Sequence, residues 1–198
     1  SSNRDSHVHP LNLAATCESC HTNVDIIKNH DLLKEEPIKL YESSVHGRAT
    51  HRGLHMAATC SDCHSANAPN GSHTAHRILG GGDPESTIYH FNIPSTCGKC
   101  HRGIAEDYWE GIHGQLVKRG EVDAPVCTRC HGEHGILAAS DLRSPVSAAR
   151  LAEATCSPCH ESAVLNDRYG VPSGRLKSYV DSYHGLKRKA GNVHVANC

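Results

Sequence analysis

Ten cysteines and five histidines of this chain fall into one repeated arrangement, two cysteines three positions apart with a histidine directly after the second. The copies are Cys17, Cys20 and His21; Cys60, Cys63 and His64; Cys97, Cys100 and His101; Cys127, Cys130 and His131; and Cys156, Cys159 and His160. On a helical turn, residues at this spacing project from one face, so the two thiols can add to the two vinyl groups of one haem. The adjacent histidine then swings beneath the iron as its proximal ligand, and the thioethers keep the cofactor attached even where little protein wraps it. Each Cys-x-x-Cys-His copy is therefore a candidate c-type attachment site, and haem c is the implied cofactor.

Competing uses of the same residues fail on counting. Structural zinc takes Cys-x-x-Cys units two at a time, which leaves a fifth unit over and gives five histidines no role. A disulfide framework does not call for those histidines, and thiol redox catalysis uses one such motif rather than five. Composition points the same way. With 18 His and 11 Cys among 198 residues, but one Phe, one Trp and one Met, the chain is poorly equipped to build an ordinary apolar core. Porphyrins would supply the missing mass.

Thirteen histidines remain outside the motifs, and the single Met56 cannot serve several irons, so bis-histidine ligation is the economical expectation. Internal repeats nominate the distal ligands. Tyr41, Tyr108 and Tyr179 each stand five residues before a His-Gly pair, at His46, His113 and His184, and each of those histidines lies 14 positions before a cysteine, Cys60, Cys127 and Cys198. The eleventh cysteine thus sits where a sixth motif would begin, which predicts a longer chain continuing past Cys198. A second element, His-x-Ile-Leu followed by Asp and Ser, starts at His76 (with Asp83 and Ser86) and again at His134 (with Asp141 and Ser144). The amino-terminal segment from Ser6 to Cys17 resembles the tail of this element, so the sequence is also expected to start partway through a repeat.

Five distal candidates, His46, His76, His113, His134 and His184, then match five complete motifs. The glycine after His46, His113 and His184 is expected to let a flat porphyrin approach the backbone closely. His7, His9, His30, His51, His55, His73, His90 and His194 have no consistent repeat equivalents and are expected at surfaces, in loops or against propionates. Of these, His7, His9 and His30 are reserve ligands, for a haem outside this segment or in a neighbouring subunit.

The elements that must position these groups are helical. Helices are predicted over 24–35 and 36–46, interrupted near Pro37, over 102–119, and over 173–190, ending near Gly191. Strand alternation is nearly absent. Segments 65–96 and 132–150 are rich in Gly, Pro, Ser, Asn and Asp and are expected to be loops wrapping cofactors. The predicted fold class is mainly α with extensive loops and little or no sheet, organised by haem, as one continuous array over 1–198.

These motifs resemble the multihaem cytochromes c of bacterial and archaeal respiratory chains, particularly those combining Cys-x-x-Cys-His with Ser-x-His-Gly and His-x-Ile-Leu segments. The resemblance covers nearly the whole chain, with Gly111 in place of Ser in the second His-Gly copy. It implies closely stacked haems and assembly outside the cytoplasm, in the periplasm or at the cell surface.

The expected function is electron transfer through bis-histidine haems in an anaerobic-type respiratory chain, without substrate turnover, with redox proteins as donors and acceptors. Such haems, lacking methionine, lie toward low potential. An alternative is a multihaem reductase or oxidase acting on a small nitrogen or sulfur compound, which needs an iron with an open position; no Cys-x-x-Cys-Lys variant occurs. The carrier is also open to self-assembly into an extracellular filament, or to membership of a larger cytochrome conduit.

Charge narrows the partners further. Lys plus Arg number 20 and Asp plus Glu 21, a formal charge of −1, so no basic field gathers nucleic acid. Each ferric bis-histidine haem with ionised propionates adds about −1, taking the loaded chain to roughly −6. The run Leu186-Lys187-Arg188-Lys189 is expected to be a solvated helix end or a propionate partner rather than a docking patch. No stretch approaches the roughly 20 apolar residues that span a bilayer, and no cleavable leader is visible, so a soluble, already processed protein is expected.

Overall fold

The computed structural model describes residues 3–29, 36–67, 73–74 and 77–198, so the predicted ligand His76 and the reserve His30 lie outside the described residues. Within them the chain is mainly helical with long stretches of turn. The one strand pairing among the described residues is antiparallel, Ala66–Asn67 with His73–Thr74. Two compact units form, Ser1–Ile136 and Leu137–Cys198. The first contains α1 (Pro10–His21), α2 (Val24–Asn29), α3 (Pro37–Ser43), α4 (Val45–His51), α5 (Cys60–Cys63), α6 (Ile93–Gly98), α7 (Arg102–Glu110), α8 (Ile112–Lys118) and α9 (Cys127–His131). In the second, a π-helical turn over Leu151–Cys156 runs into α10 (Ser157–His160), followed by α11 (Ala163–Tyr169), α12 (Arg175–Val180) and α13 (Tyr183–Lys189). No described helix is long and apolar enough to cross a membrane.

The helices expected over 36–46, 102–119 and 173–190 are each broken by a corner just before the His-Gly pair. At Ser44, Gly111 and Ser182 the backbone is extended, with ψ of 169°, 160° and 164°. That rotation turns the carbonyl out of the helical ladder and starts a new helix, α4, α8 or α13. Ser44 and Ser182 cap the new helices by accepting the amide N–H of Gly47 (3.1 Å) and Gly185 (3.2 Å). Gly111 has no side chain to do so.

The His-Gly glycine has a steric role within the protein itself. A Cβ on Gly47, Gly114 or Gly185 would collide with the carbonyl of Tyr41, Tyr108 or Tyr179, and would lie 2.9, 2.9 or 2.7 Å from the next residue's Cα. Close crossing of the paired helices, within the protein itself, is what excludes a side chain there. The tyrosine then reaches forward. Tyr41 Oη donates to the Ala58 carbonyl (3.0 Å), Tyr108 Oη to Pro125 (3.0 Å) and Tyr179 Oη to Ala196 (3.4 Å). Each acceptor lies two residues before Cys60, Cys127 or Cys198, so the corner is tied to the next cysteine segment. The second helix of each corner ends at Gly53, Gly120 or Gly191, all at φ near +90°, which only glycine adopts freely.

Among the described residues the stretches expected to be loops consist largely of successive turns, and a like ladder precedes α1. Amide bonds run Ser6 to Asn3, His9 to Ser6 and Asn12 to His9; the same steps recur over Asp83, Ser86, Tyr89 and Asn92, and over Asp141, Ser144, Ser147 and Arg150. Each ladder opens with an Asx turn, from Asn3, Asp83 or Asp141. Each closes on the threonine before a cysteine: Thr16 Oγ1 donates to the His7 carbonyl (2.8 Å), Thr96 to Thr87 (2.8 Å) and Thr155 to Pro145 (2.7 Å). From the ladder serine to the cysteine is 11 positions for Ser6–Cys17 and Ser86–Cys97, but 12 for Ser144–Cys156. The π turn over Leu151–Cys156 absorbs the extra residue.

Little apolar mass is buried. The buried apolar residues described are Ala14, Ile38, Ala66, Val117, Ala124, Val126 and Ala152, whereas Leu54, Met56, Ile78, Ile104, Ile112 and Leu142 are all more than half exposed. Most of the largest fully buried side chains are hydroxyls, Thr87, Ser44, Ser86, Ser144 and Ser147. An interior of small polar groups beneath exposed aliphatics is the reverse of the usual arrangement, and it leaves apolar surface for something other than protein to cover.

Candidate cofactor site

Each cysteine pair sits on a single helical turn. Cys17, Cys20 and His21 close α1; Cys60 and Cys63 bound α5; Cys97 lies in α6; Cys127 to His131 make up α9; Cys156 ends the π turn, and Cys159 and His160 end α10. His64 N–H donates to the Cys60 carbonyl (2.8 Å) and His101 N–H to Cys97 (3.0 Å), so both thiols and the imidazole are held to the same turn. None of the thiols is in a disulfide. Burial, and then the nearby Cys17 thiol, push the Cys60 thiol up to about 12. Burial pushes Cys63 up to about 11. Cys97 is held up by its hydrogen bond to Cys127, which is lowered in turn.

The distal candidates His134 and His46 meet motif histidines. The His64 and His134 rings lie 5.8 Å apart between centroids, their planes 7° from parallel. His46 and His101 lie 6.1 Å apart, with planes inclined at 57°. Two imidazoles bound on opposite sides of one metal ion place their centroids about 6 Å apart, from metal–nitrogen bonds of about 2 Å and ring radii of about 1 Å. His64 and His46 are held below the ordinary histidine range, first by burial and then by the facing imidazole. Their rings are therefore neutral at pH 7 and keep a lone pair. His134 buries Nδ1 without any protein hydrogen-bond partner, a cost the protein bears unless another group occupies the site.

These sets fit a haem iron. Two imidazoles are too few for a tetrahedral zinc. A metal already held by four porphyrin nitrogens needs only two axial ligands.

The pairing passes over the nearest motif in each case. His46 precedes Cys60 yet faces His101, and His134 follows His131 yet faces His64. Of the other predicted ligands, His113 is the second residue of α8 and His184 the second of α13, the place His46 holds in α4. His184 is exposed and packs edge-on against Tyr183, centroids 5.7 Å apart. His21, His131 and His184 are not brought against a second imidazole at ligand spacing among the described residues. His131 is lowered by burial and then by His101 nearby. His160 ends α10 beside Cys159.

The reserve ligand His9 does something else. Its Nδ1 accepts the Leu11 amide (3.2 Å) as the N-cap of α1. Its ring stands edge-on to His55 at 5.9 Å. The signal was a histidine directly before Pro10 at the helix start. The threonines before Cys17, Cys97 and Cys156 were also legible as a repeat, and they set where those cysteines stand. His90 buries Nε2 without a protein partner, with no repeat to announce it. Compared with known proteins, the chain matches no family model and no solved structure.

Proposed function

We propose that the chain is an electron carrier bearing covalently attached c-type haems, each held by the cysteine pair and proximal histidine of one motif. The observation that carries this is the His64–His134 pair, near-parallel imidazoles 5.8 Å apart with one ring's nitrogen buried and without a partner. The haem would supply an iron that alternates between ferric and ferrous. The protein's residues do the rest. Cys60 and Cys63 would hold the cofactor covalently, with His64 and His134 as its two histidine ligands. Cys97 and Cys100, with His101 and His46, would do the same at the third motif. The exposed aliphatic side chains and buried hydroxyls provide a surface for apolar macrocycles to cover.

With both faces of an iron closed by imidazole, small nitrogen or sulfur compounds have nowhere to bind, which favours a carrier over the reductase or oxidase alternative. His113, His184 and His76 are proposed as the further distal ligands, from their repeat positions. Covalent attachment of this kind implies a periplasmic or extracellular setting, with redox proteins as donors and acceptors. Co-expression with a c-type maturation system tests this. The proposal expects a coloured, low-spin protein that does not bind carbon monoxide, and a His134→Ala variant that does. A colourless mature chain, or a wild type that binds carbon monoxide rapidly, would overturn it.

A further inference from the structure

The two imidazole pairs differ in one respect that the sequence does not announce. The His64 and His134 planes are nearly parallel, at 7°, and those of His46 and His101 are strongly inclined, at 57°. An imidazole donates π density from the orbital perpendicular to its ring. Two parallel rings feed the same metal d orbital and raise it well above its neighbour. Two inclined rings share their donation between both orbitals and bring them close in energy. The first arrangement stabilises the oxidised metal more, because the electron hole has a raised orbital to occupy.

One buried residue ties down the backbone around His64. Thr87, fully buried, holds the backbone on both sides of His64. Its Oγ1 accepts the Ser65 amide (2.9 Å) and lies within donating distance of the Cys63 carbonyl (2.5 Å) and the Ser65 carbonyl (2.8 Å). Its own amide donates to the Ser65 carbonyl (3.1 Å), and its carbonyl accepts from Thr96, the residue before Cys97. One threonine thus locks the His64 turn and ties it to the third motif. Outer residues of this kind commonly set the orientation of a metal-bound ring.

We propose that Thr87 is a positioning residue that holds the His64 ring parallel to His134, so that the haems of the second and third motifs are electronically distinct and an electron rests preferentially on the third. This rests on the ligand assignment above.

Low-temperature electron paramagnetic resonance of the fully oxidised, haem-loaded chain tests it. The wild type should give both a resolved rhombic low-spin signal, as parallel rings produce, and a separate feature at large g, as inclined rings produce. His46→Ala should abolish a large-g component and leave the rhombic signal. Thr87→Val should convert one haem's share of rhombic intensity while Thr87→Ser restores it, and on reductive titration the large-g feature assigned through His46 should vanish before the rhombic share assigned through Thr87. Full large-g intensity in His46→Ala, an unchanged rhombic signal in Thr87→Val, or the reverse titration order would overturn the proposal. Should Thr87→Val fail to fold, Thr87→Ala carries the positioning test by the same loss of rhombic intensity, and His134→Ala assigns the rhombic share for the titration. A wild type with no low-spin signal would instead defeat the ligand assignment itself.

Discussion

Replacing Gly114 with alanine would set a Cβ 2.9 Å from the Trp109 Cα and hard against the Tyr108 carbonyl. Carbon atoms rest at about 3.5–4.0 Å from one another, so α8 must shift away from α7 by roughly 1 Å. Overpacking on that scale costs about 1–3 kcal/mol. For a chain of this length each kcal/mol lowers Tm by about 2–4 °C, so a loss of roughly 2–12 °C is expected. Gly111→Ser, three positions earlier, should act oppositely. Its backbone is in the extended region open to any residue, the nearest atom to a new Cβ is 3.4 Å away, and the hydroxyl would restore the cap that Ser44 and Ser182 provide. A gain of a few tenths to about 1 kcal/mol is expected. Thermal unfolding of the haem-loaded variants, followed by far-ultraviolet circular dichroism at matched haem content, reads both effects. An unchanged Tm for Gly114→Ala together with an altered haem spectrum would refute the backbone account and return that glycine to the role of admitting a porphyrin.

Tyr108→Phe removes the donor to the Pro125 carbonyl and should cost about 1–2 kcal/mol in chemical denaturation, because the half-buried acceptor loses its partner. Tyr179→Phe, where the bond is 3.4 Å and exposed, should cost clearly less; equal losses would count against a role for burial. Deleting Ala154 restores the 11-position spacing of Ser6–Cys17 and Ser86–Cys97 to the third ladder. The fifth motif should still take up haem by intact mass, and loss of one haem would show that the π turn is needed for attachment.

What could be read from the sequence was what repeats. Fixed chemistry made the ten cysteines and their histidines visible, and the Tyr-to-His-Gly spacing located three corners whose backbone geometry is nearly identical. The mainly helical fold followed from periodicity and from the absence of strand alternation. That the chain turns a corner at these places was not legible, for a physical reason. The one at Gly111 leaves no mark on hydrophobic periodicity, because the sequence of α7 and α8 continues the same apolar register. That the glycine of His-Gly avoids a carbonyl six residues earlier is announced by no pattern in the sequence. Segments rich in Ser, Asn and Asp are loops, as expected, and their hydrogen bonds run in steps of three, from side chain to backbone and turn to turn.

The pairing of distal with proximal histidines was not legible at all. His46 faces His101 across 55 positions and His134 faces His64 across 70, and only the folded chain brings them together. Ring orientation is more remote still, since it depends on Thr87, which belongs to no motif.

Intact mass of the mature 198-residue chain under denaturing conditions, where only covalent groups survive, tests the central claim most directly. The account predicts the polypeptide plus five haems, one for each Cys-x-x-Cys-His. A mass equal to the bare polypeptide, with ten cysteines still open to alkylation, would contradict it.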